Sequence, residues 1–427
     1  MIEIGQLIYY TLLLLFPILP QYIYIFGGVN AVNCIVLLFI IGVLLIGRIR
    51  TTSVIKYLPF FWLYEIIISL LCMADGGAIK GFSYFLSFFV IPYLLAGYIN
   101  SKDKFFKAID LIIYGGFILG IFGIFEQLTK INVFQLLSNG NMEFTGDTRY
   151  GLLRIMTTFG QPIAYGLYQT FVSAIIYYRL NTDILNQRRR FLKIAYMISV
   201  ANIFLSVSRT PILAFCLIQL LLLYQKSKKR FINILFLIFF VIIVGGLLGE
   251  VTGLQIPLID DLVQTVFGLF QGVAQTSEQT VGIGDRFSLW IWVFSSMSGK
   301  WIFGNGITTE FAYQVYEWQT KTSIENHYLY TLFHYGLVGL LLLLFMYISI
   351  LIYTKLKSKK YGTRLNEKNL SFNKMLFIVF FIYNIVEFAI QETDLSRMYV
   401  VLVALLISYN KISDRQYEIT NYSEDEY

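Results

Sequence analysis

Arginines set next to turns, and one carboxylate at a helix start, are the groups in this chain best suited to handle an anion and move a proton. They fall in four stretches. The first runs Arg154, Ile155, Met156, Thr157, Thr158, Phe159, Gly160, Gln161, Pro162 and on to Gly166, so a guanidinium stands beside a tight turn that enters an apolar helix. The second is Ser206, Val207, Ser208, Arg209, Thr210, Pro211. The third is Gly284, Asp285, Arg286, Phe287, Ser288, Leu289, Trp290, followed by Gly304, Asn305, Gly306. Asp285 as N-cap would put Arg286 in a first turn whose N–H groups point outward, a seat for phosphate, with Trp290 on the same face. The fourth is Glu325, Asn326, His327, Tyr328, Leu329, leading past His334 to Gly336 and Gly339. A carboxylate such as Glu325 can take the proton of an attacking hydroxyl, and His327 is the fallback. Plainer readings stand beside these: an interfacial cation, a snorkelling arginine, a capped helix with an aromatic contact, a hydrogen-bonded interface histidine. His334 reads as packing.

The elements that must carry these groups are apolar helices. Of 427 residues, 57% are hydrophobic and 14% charged, where a soluble domain carries about a quarter charged residues. Runs long enough, or nearly so, to cross ~30 Å of hydrocarbon lie at 7–26, 31–47, 57–73, 82–98, 108–128, 162–178, 191–207, 211–224, 231–248, 328–353, 375–390 and 398–409. The expected fold is an all-α polytopic membrane protein of about twelve transmembrane helices with one large extracytoplasmic loop. Residues 1–249 hold helices one to nine, 250–327 the loop, 328–410 helices ten to twelve, and 411–427 a cytoplasmic tail. The first run lacks a basic leader and a cleavage pattern, so it is expected to stay as a helix. Cys34, Cys72 and Cys216 sit in apolar runs without metal-binding spacing and are expected to pack in the core.

With a cytoplasmic amino terminus, most of the 33 basic residues fall on the inner side, among them Arg179, Arg188, Arg189 and Arg190 and the run from Lys355 to Lys374. That bias orients the chain with both termini inside and accounts for the net charge of +7 without nucleic acid. The two long outer segments are 129–161 and 250–327. The larger is acidic, with Glu250, Asp260, Asp261, Glu278, Asp285, Glu310, Glu317 and Glu325 against Arg286, Lys300 and Lys321. Within it, 254–270 is apolar but broken by Pro257, Asp260 and Asp261, which suits a segment lying in the interface. Glu65, Glu126 and Glu387 fall in or near apolar runs, where burial costs enough to imply an interior-facing role.

In order and position the four stretches resemble the O-antigen ligase and O-antigen or capsule polymerase superfamily of bacterial membrane glycosyltransferases. The pattern there is Arg, then Phe-x-x-Pro and Gly; Ser-Arg; Arg-x-x-x-Trp with Gly-x-Gly; and polar-Asn-x-Tyr-Leu before Gly-x-x-Gly. The resemblance spans Arg154 to Gly339. It implies glycosyl transfer on the outer face of the bacterial cytoplasmic membrane, from polyprenyl-diphosphate-linked oligosaccharides serving as donor and acceptor, without a nucleotide sugar, a cofactor or a required metal. A flippase and a chain-length regulator are the protein partners such a role brings. Arg154 and Arg286 would hold the leaving diphosphate, with Arg209 a third cation, and Glu325 would be the base. Trp290, Gln161, Asn326 and His327 would contact substrate. Where the ligase branch starts its helix motif with His this chain has Glu325, which favours a polymerase over a ligase. A transporter or flippase of lipid-linked sugars is the reading from another class, and it would show repeated halves or broken midplane helices.

Overall fold

A computed structural model describes residues 59–71, 77–137, 148–149, 151–182, 188–233, 283–316, 319–321, 324, 326–361, 372, 374–378 and 397–408, with scattered positions between 10 and 41. The described chain is mostly helical. In order come α1 (Pro59–Leu71), α2 (Gly77–Tyr98), α3 (Lys102–Thr129), α4 (Pro162–Thr182), α5 (Arg189–Leu205), α6 (Arg209–Lys226), α7 (Ile283–Ser296), α8 (His327–Tyr361) and α9 (Arg397–Ser408). Three antiparallel two-stranded hairpins are the described sheet: β1 (Tyr24–Phe26) with β2 (Val29–Asn30), β3 (Thr148–Arg149) with β4 (Leu152–Leu153), and β5 (Tyr313–Tyr316) with β6 (Gln319–Lys321).

Local chemistry sets the helix ends. The Ser101 hydroxyl accepts the Lys104 amide at 3.3 Å and Asp103 lies in the first turn of α3, both favourable at a helix amino end. Lys130 closes α3 in the left-handed conformation. Proline opens α1 and α4, where its missing N–H is no loss. In α2 the backbone widens to a π-helix over Leu86–Val90 just ahead of Pro92, which cannot donate to the preceding turn.

Among the described residues, α2, α3 and the His327–Ser349 part of α8 are long and apolar enough to cross a membrane, while α1 and α9 are apolar but shorter. The run expected at 7–26 is not one helix: a turn follows at 16–18, where Pro17 intervenes, and 24–26 form a strand. The run at 328–353 is interrupted at Gly336. Segment 254–270 and Glu387 lie outside the described residues.

The centre of the bundle is α4, whose residues from Ala164 to Ile176 are all buried. Enclosed by protein, it tolerates Tyr165, Gln169, Thr170 and Ser173, side chains that a lipid-facing helix would have to hide. The Tyr165 hydroxyl donates to Asn202 Oδ1 at 2.8 Å. Asn202 Nδ2 donates to the Gly120 carbonyl at 3.0 Å, and Gln169 Nε2 to the Gly116 carbonyl at 3.2 Å. These bonds tie α3, α4 and α5 together and need close backbones. Gly116, Gly120 and Gly123 allow that: a Cβ there would run into Val172, into Ile198, and into Asn202 and Tyr165. The outer surface is apolar instead, including Leu213 and Leu217 on α6. Cys216 lies on that exposed face, not in the core as its apolar neighbours in sequence suggested.

The two ends of the bundle differ chemically. Asp110, in the first third of α3, takes Arg179 at 2.9 Å and Arg188 at 3.2 Å. Glu126 lies sixteen residues further along the same helix, roughly 24 Å at 1.5 Å per residue, a large part of a hydrocarbon slab. The two arginines assigned to the inner side and the Glu126 region are therefore at opposite ends. Gly123→Val should disrupt the Tyr165–Asn202 contact and cost about 1–3 kcal/mol, seen as a lower midpoint in thermal unfolding of the detergent-solubilised protein; an unchanged midpoint would contradict this packing.

Candidate functional site

The turn that carries Arg154 is built on a buried carboxylate. Glu126 is almost wholly enclosed. Its Oε1 accepts the Met156 amide at 3.2 Å and Asn132 Nδ2 at 3.2 Å, and its Oε2 accepts the Thr157 amide at 2.9 Å. Asn132 also donates to the Thr157 carbonyl at 2.9 Å. Hydrogen bonds to a charged acceptor are each worth ~1.5–3 kcal/mol, enough to hold Thr157 at a φ of 48° that a β-branched residue rarely adopts. Phe159 then packs at a tilt against Tyr165 and Tyr168, Pro162 starts α4, and Gln161 stays exposed.

From this fixed turn the half-buried Arg154 donates from Nη2 to the Ser208 hydroxyl at 3.1 Å. Ser208 sits at the corner between α5 and α6. There Val207 has a φ of 46°, the Ser208 hydroxyl donates to the Ser206 carbonyl at 2.9 Å, and Arg209 opens α6. Gly166 lets α4 press on this corner, because a Cβ would strike Pro211 and Ser206. The first and second stretches thus form one unit in space, with Arg154 bonded to Ser208 and Arg209 next to Ser208 in the chain.

The third and fourth stretches also join, through backbone. At Gly336 (φ 68°) α8 breaks, which leaves the amides of Leu337 and Val338 and the carbonyls of Phe333 and His334 without their helical partners. The segment 301–306 supplies all four. Leu337 and Val338 donate to the carbonyls of Trp301 at 2.8 Å and Ile302 at 3.3 Å, while Asn305 and Gly306 donate to Phe333 at 2.8 Å and His334 at 3.0 Å. Gly304 (φ 80°) and Gly336 meet face to face: a Cβ on the first would hit the His334 carbonyl, and on the second the Ile302 carbonyl. The Tyr64 hydroxyl donates to the Tyr335 carbonyl at 3.0 Å, and the Tyr335 hydroxyl to Glu65 Oε1 at 2.5 Å. Glu65 and Glu126, read as interior-facing, are indeed both buried, and each serves one of the two irregular segments.

Asn326 is the N-cap of α8, its Oδ1 accepting the amides of Tyr328 and Leu329 at 3.0 Å each. A short polar residue directly before an apolar helical run is a legible cap signal, and it gives this side chain a structural task besides any contact with substrate. His327 is fully buried in the first turn. His334 packs as expected, its Nδ1 2.7 Å from the Gly306 carbonyl and its ring against Tyr330. Arg286 falls in the first turn of α7, but that helix opens at Ile283, so Asp285 lies inside the first turn and is not the cap. The Arg286 side chain and all of Glu325 lie outside the described residues. Trp290 is not on the packed face of α7, which is Leu289, Val293 and Met297; it is half exposed, its ring edge-on to Phe294. Asn132, which locks the Glu126 turn, shows locally only as a cap, its Oδ1 accepting the Phe134 amide at 2.9 Å; its bonds to Glu126 and Thr157, 6 and 25 residues away, carry no sequence signal.

Residues 194–344 match the family model described as O-antigen ligase. This region of the chain is consistent with the O-antigen ligase and polymerase superfamily. It takes in the Ser206–Arg209 corner, α7, the 301–306 segment and the break in α8, while Arg154 and Gln161 precede it. Comparison with curated proteins finds no match. Gly304→Ala or Gly336→Ala should cost about 1–3 kcal/mol each from strain and collision, read as a drop in thermal stability together with protease cleavage near 301–306; wild-type stability in both would disprove the backbone splice.

Proposed function

We propose that this protein is a polysaccharide polymerase of O-antigen or capsule type, joining polyprenyl-diphosphate-linked repeat units on the extracytoplasmic face of the bacterial cytoplasmic membrane. The observation that carries the reading is the Arg154–Ser208 hydrogen bond. It gathers two arginine-bearing stretches at the end of the bundle opposite Asp110, Arg179 and Arg188. The excess of basic residues makes the Asp110 end cytoplasmic, so the Arg154 end faces outward.

In the reaction a sugar hydroxyl of one lipid-linked unit attacks the anomeric carbon of the other. A new C–O bond forms, the bond from the anomeric carbon to the diphosphate oxygen breaks with inversion, and polyprenyl diphosphate leaves with the bonding pair. Arg154 and Arg286 hold the departing diphosphate by paired N–H bonds, with Arg209 as a further cation. Glu325 takes the hydroxyl proton, with His327 as the alternative base. Trp290, Gln161 and Asn326 bound the sugar site. A turn fixed at Thr157 keeps the Arg154 guanidinium oriented before substrate arrives, which spares reorganisation in the transition state.

A ligase passing finished polymer to another acceptor is the nearest alternative, and Glu325 in place of a histidine favours the polymerase. A transporter would also carry a broken helix, but its exposed half-helix ends bind the cargo. In α8 those ends are already occupied by 301–306.

Purified protein in nanodiscs, given a synthetic polyprenyl-diphosphate oligosaccharide, should yield a ladder of products. Arg286→Lys and Arg154→Lys should each reduce laddering by about two orders of magnitude, because an ammonium cannot reproduce the planar fork. Full laddering by either variant would remove that arginine from the site, and translocation without new glycosidic bonds would establish a transporter.

A further inference from the structure

The inner end of the bundle gathers more positive charge than its carboxylate neutralises. Among the described residues, Asp110 is the one acid lining a shallow hollow between α3, α4 and the start of α5, and it takes two guanidiniums. Arg179 is fully engaged there. Its Nε donates to Asp110 Oδ1 at 2.9 Å and its Nη2 to Oδ2 at 3.5 Å, and its guanidinium lies 4.6 Å from the centre of the Phe106 ring. It also stands in the last turn of α4, where a cation suits the helix dipole. Arg188 is held more loosely. Its Nη1 donates to Asp110 Oδ2 at 3.2 Å, and 57% of its side chain is exposed. Arg189 and Arg190 follow it, also exposed, in a first turn of α5 that contains no acidic residue. Cations at the amino end of a helix oppose its dipole, so an anion at this place relieves a repulsion built into the fold. The topology bias calls for arginines on this side of the membrane. It does not call for two of them to share one carboxylate in a lined hollow.

The remaining walls point to the class of anion. Tyr114 and Phe191 line the hollow beside the arginines, their rings tilted at 5.3 Å, and Phe191 meets Phe117 edge-on at 5.2 Å. Asp110, Tyr114 and Phe117 follow one another along α3 at spacings of four and three, so one stripe passes from charge to rings toward the middle of a helix able to cross a membrane. A phospholipid changes in the same order from headgroup to chain. Its phosphate can accept paired N–H bonds from Arg188 while its upper chain lies on Tyr114, which is 37% exposed, and on Phe191. Inorganic phosphate would leave the rings unused. A zwitterionic lipid would bring an ammonium to a cluster already in positive excess.

We propose that the hollow at Asp110, Arg179 and Arg188 binds an anionic phospholipid of the cytoplasmic leaflet, with its phosphate on Arg188. The site takes its leaflet from the bias of basic residues. It lies at the end of the bundle away from Arg154, so it stands whether or not the chain joins sugars.

The test titrates the full chain with phosphatidylglycerol and phosphatidylethanolamine of identical acyl chains, reading retained lipid by native mass spectrometry. Phosphatidylglycerol should remain as a one-to-one adduct and phosphatidylethanolamine should not. Arg188→Gln should weaken that adduct about fivefold, whereas Arg230→Gln, which removes an exposed cation just past α6 at the same end of the bundle, should leave it unchanged. In nanodiscs, replacing phosphatidylethanolamine by phosphatidylglycerol should raise the melting midpoint of the wild type. Arg188→Gln should lose that increment whatever its midpoint in phosphatidylethanolamine, which separates a lost lipid from a weakened fold. Equal retention of the two lipids would overturn the site. Equal losses in the Arg188 and Arg230 variants would reduce it to diffuse surface attraction and overturn it as well. Displacement of phosphatidylglycerol by inorganic phosphate would make the occupant a soluble anion, against the proposal.

Discussion

The amides of Leu337 and Val338 have lost their helical acceptors, and the carbonyls of Phe333 and His334 have lost their helical donors, inside a helix apolar enough to lie in lipid. Hydrocarbon offers no substitute, so an opened helix survives there only where protein completes its hydrogen bonds. Segment 301–306 does so bond for bond. The consequence reaches beyond α8. To make those bonds, the stretch between α7 and α8 must return to the break in α8, and α7 is thereby held against α8 with Arg286 in its first turn. Tyr64 and Glu65 secure the same point from α1 through Tyr335.

Glu126 solves the same problem with a side chain. The Met156–Thr157 turn is buried, and amides enclosed without acceptors cost ~1–3 kcal/mol each. A carboxylate satisfies both and accepts Asn132 as well, so the charge that would be costly to bury is itself hydrogen-bonded. Two unfavourable features, an enclosed acid and a strained turn, stabilise one another. Arg154 inherits the rigidity. A guanidinium held by its scaffold beforehand would meet a diphosphate, as proposed above, with its ordering cost already met in folding.

Between these anchors and Asp110 with its two arginines, the bundle relies on small residues and shared polar bonds. Gly116, Gly120 and Gly123 bring α4 and α5 close enough for Tyr165, Gln169 and Asn202 to find one another. Packing of this kind substitutes for a hydrophobic driving force that lipid does not provide. It also explains how α4 can carry Tyr165, Gln169, Thr170 and Ser173 along its buried length.

The sequence alone determined the apolar, helix-rich class and the bias of basic residues along the chain, and it singled out the four stretches, because hydropathy, charge bias and short motifs are local properties. It also marked Glu65 and Glu126 as interior residues, since an ionisable group in an apolar run has few other places to be. Only the tertiary structure decided that Arg154 belongs with Ser208, that Gly-x-Gly exists to mend α8 at Gly336, that Asn326 caps a helix, and that Trp290 turns outward while Leu289 and Val293 turn in. Pro17 could have been read as a helix stop in the first run, and the cap at Asn326 was written in its position. The rest was not local: the amides that Glu126 accepts, the hydroxyl that Arg154 meets and the backbone that completes the break at Gly336 lie 28 to 54 residues away along the chain, and a distance of that order is set by how helices pack, not by any pattern within a single one of them.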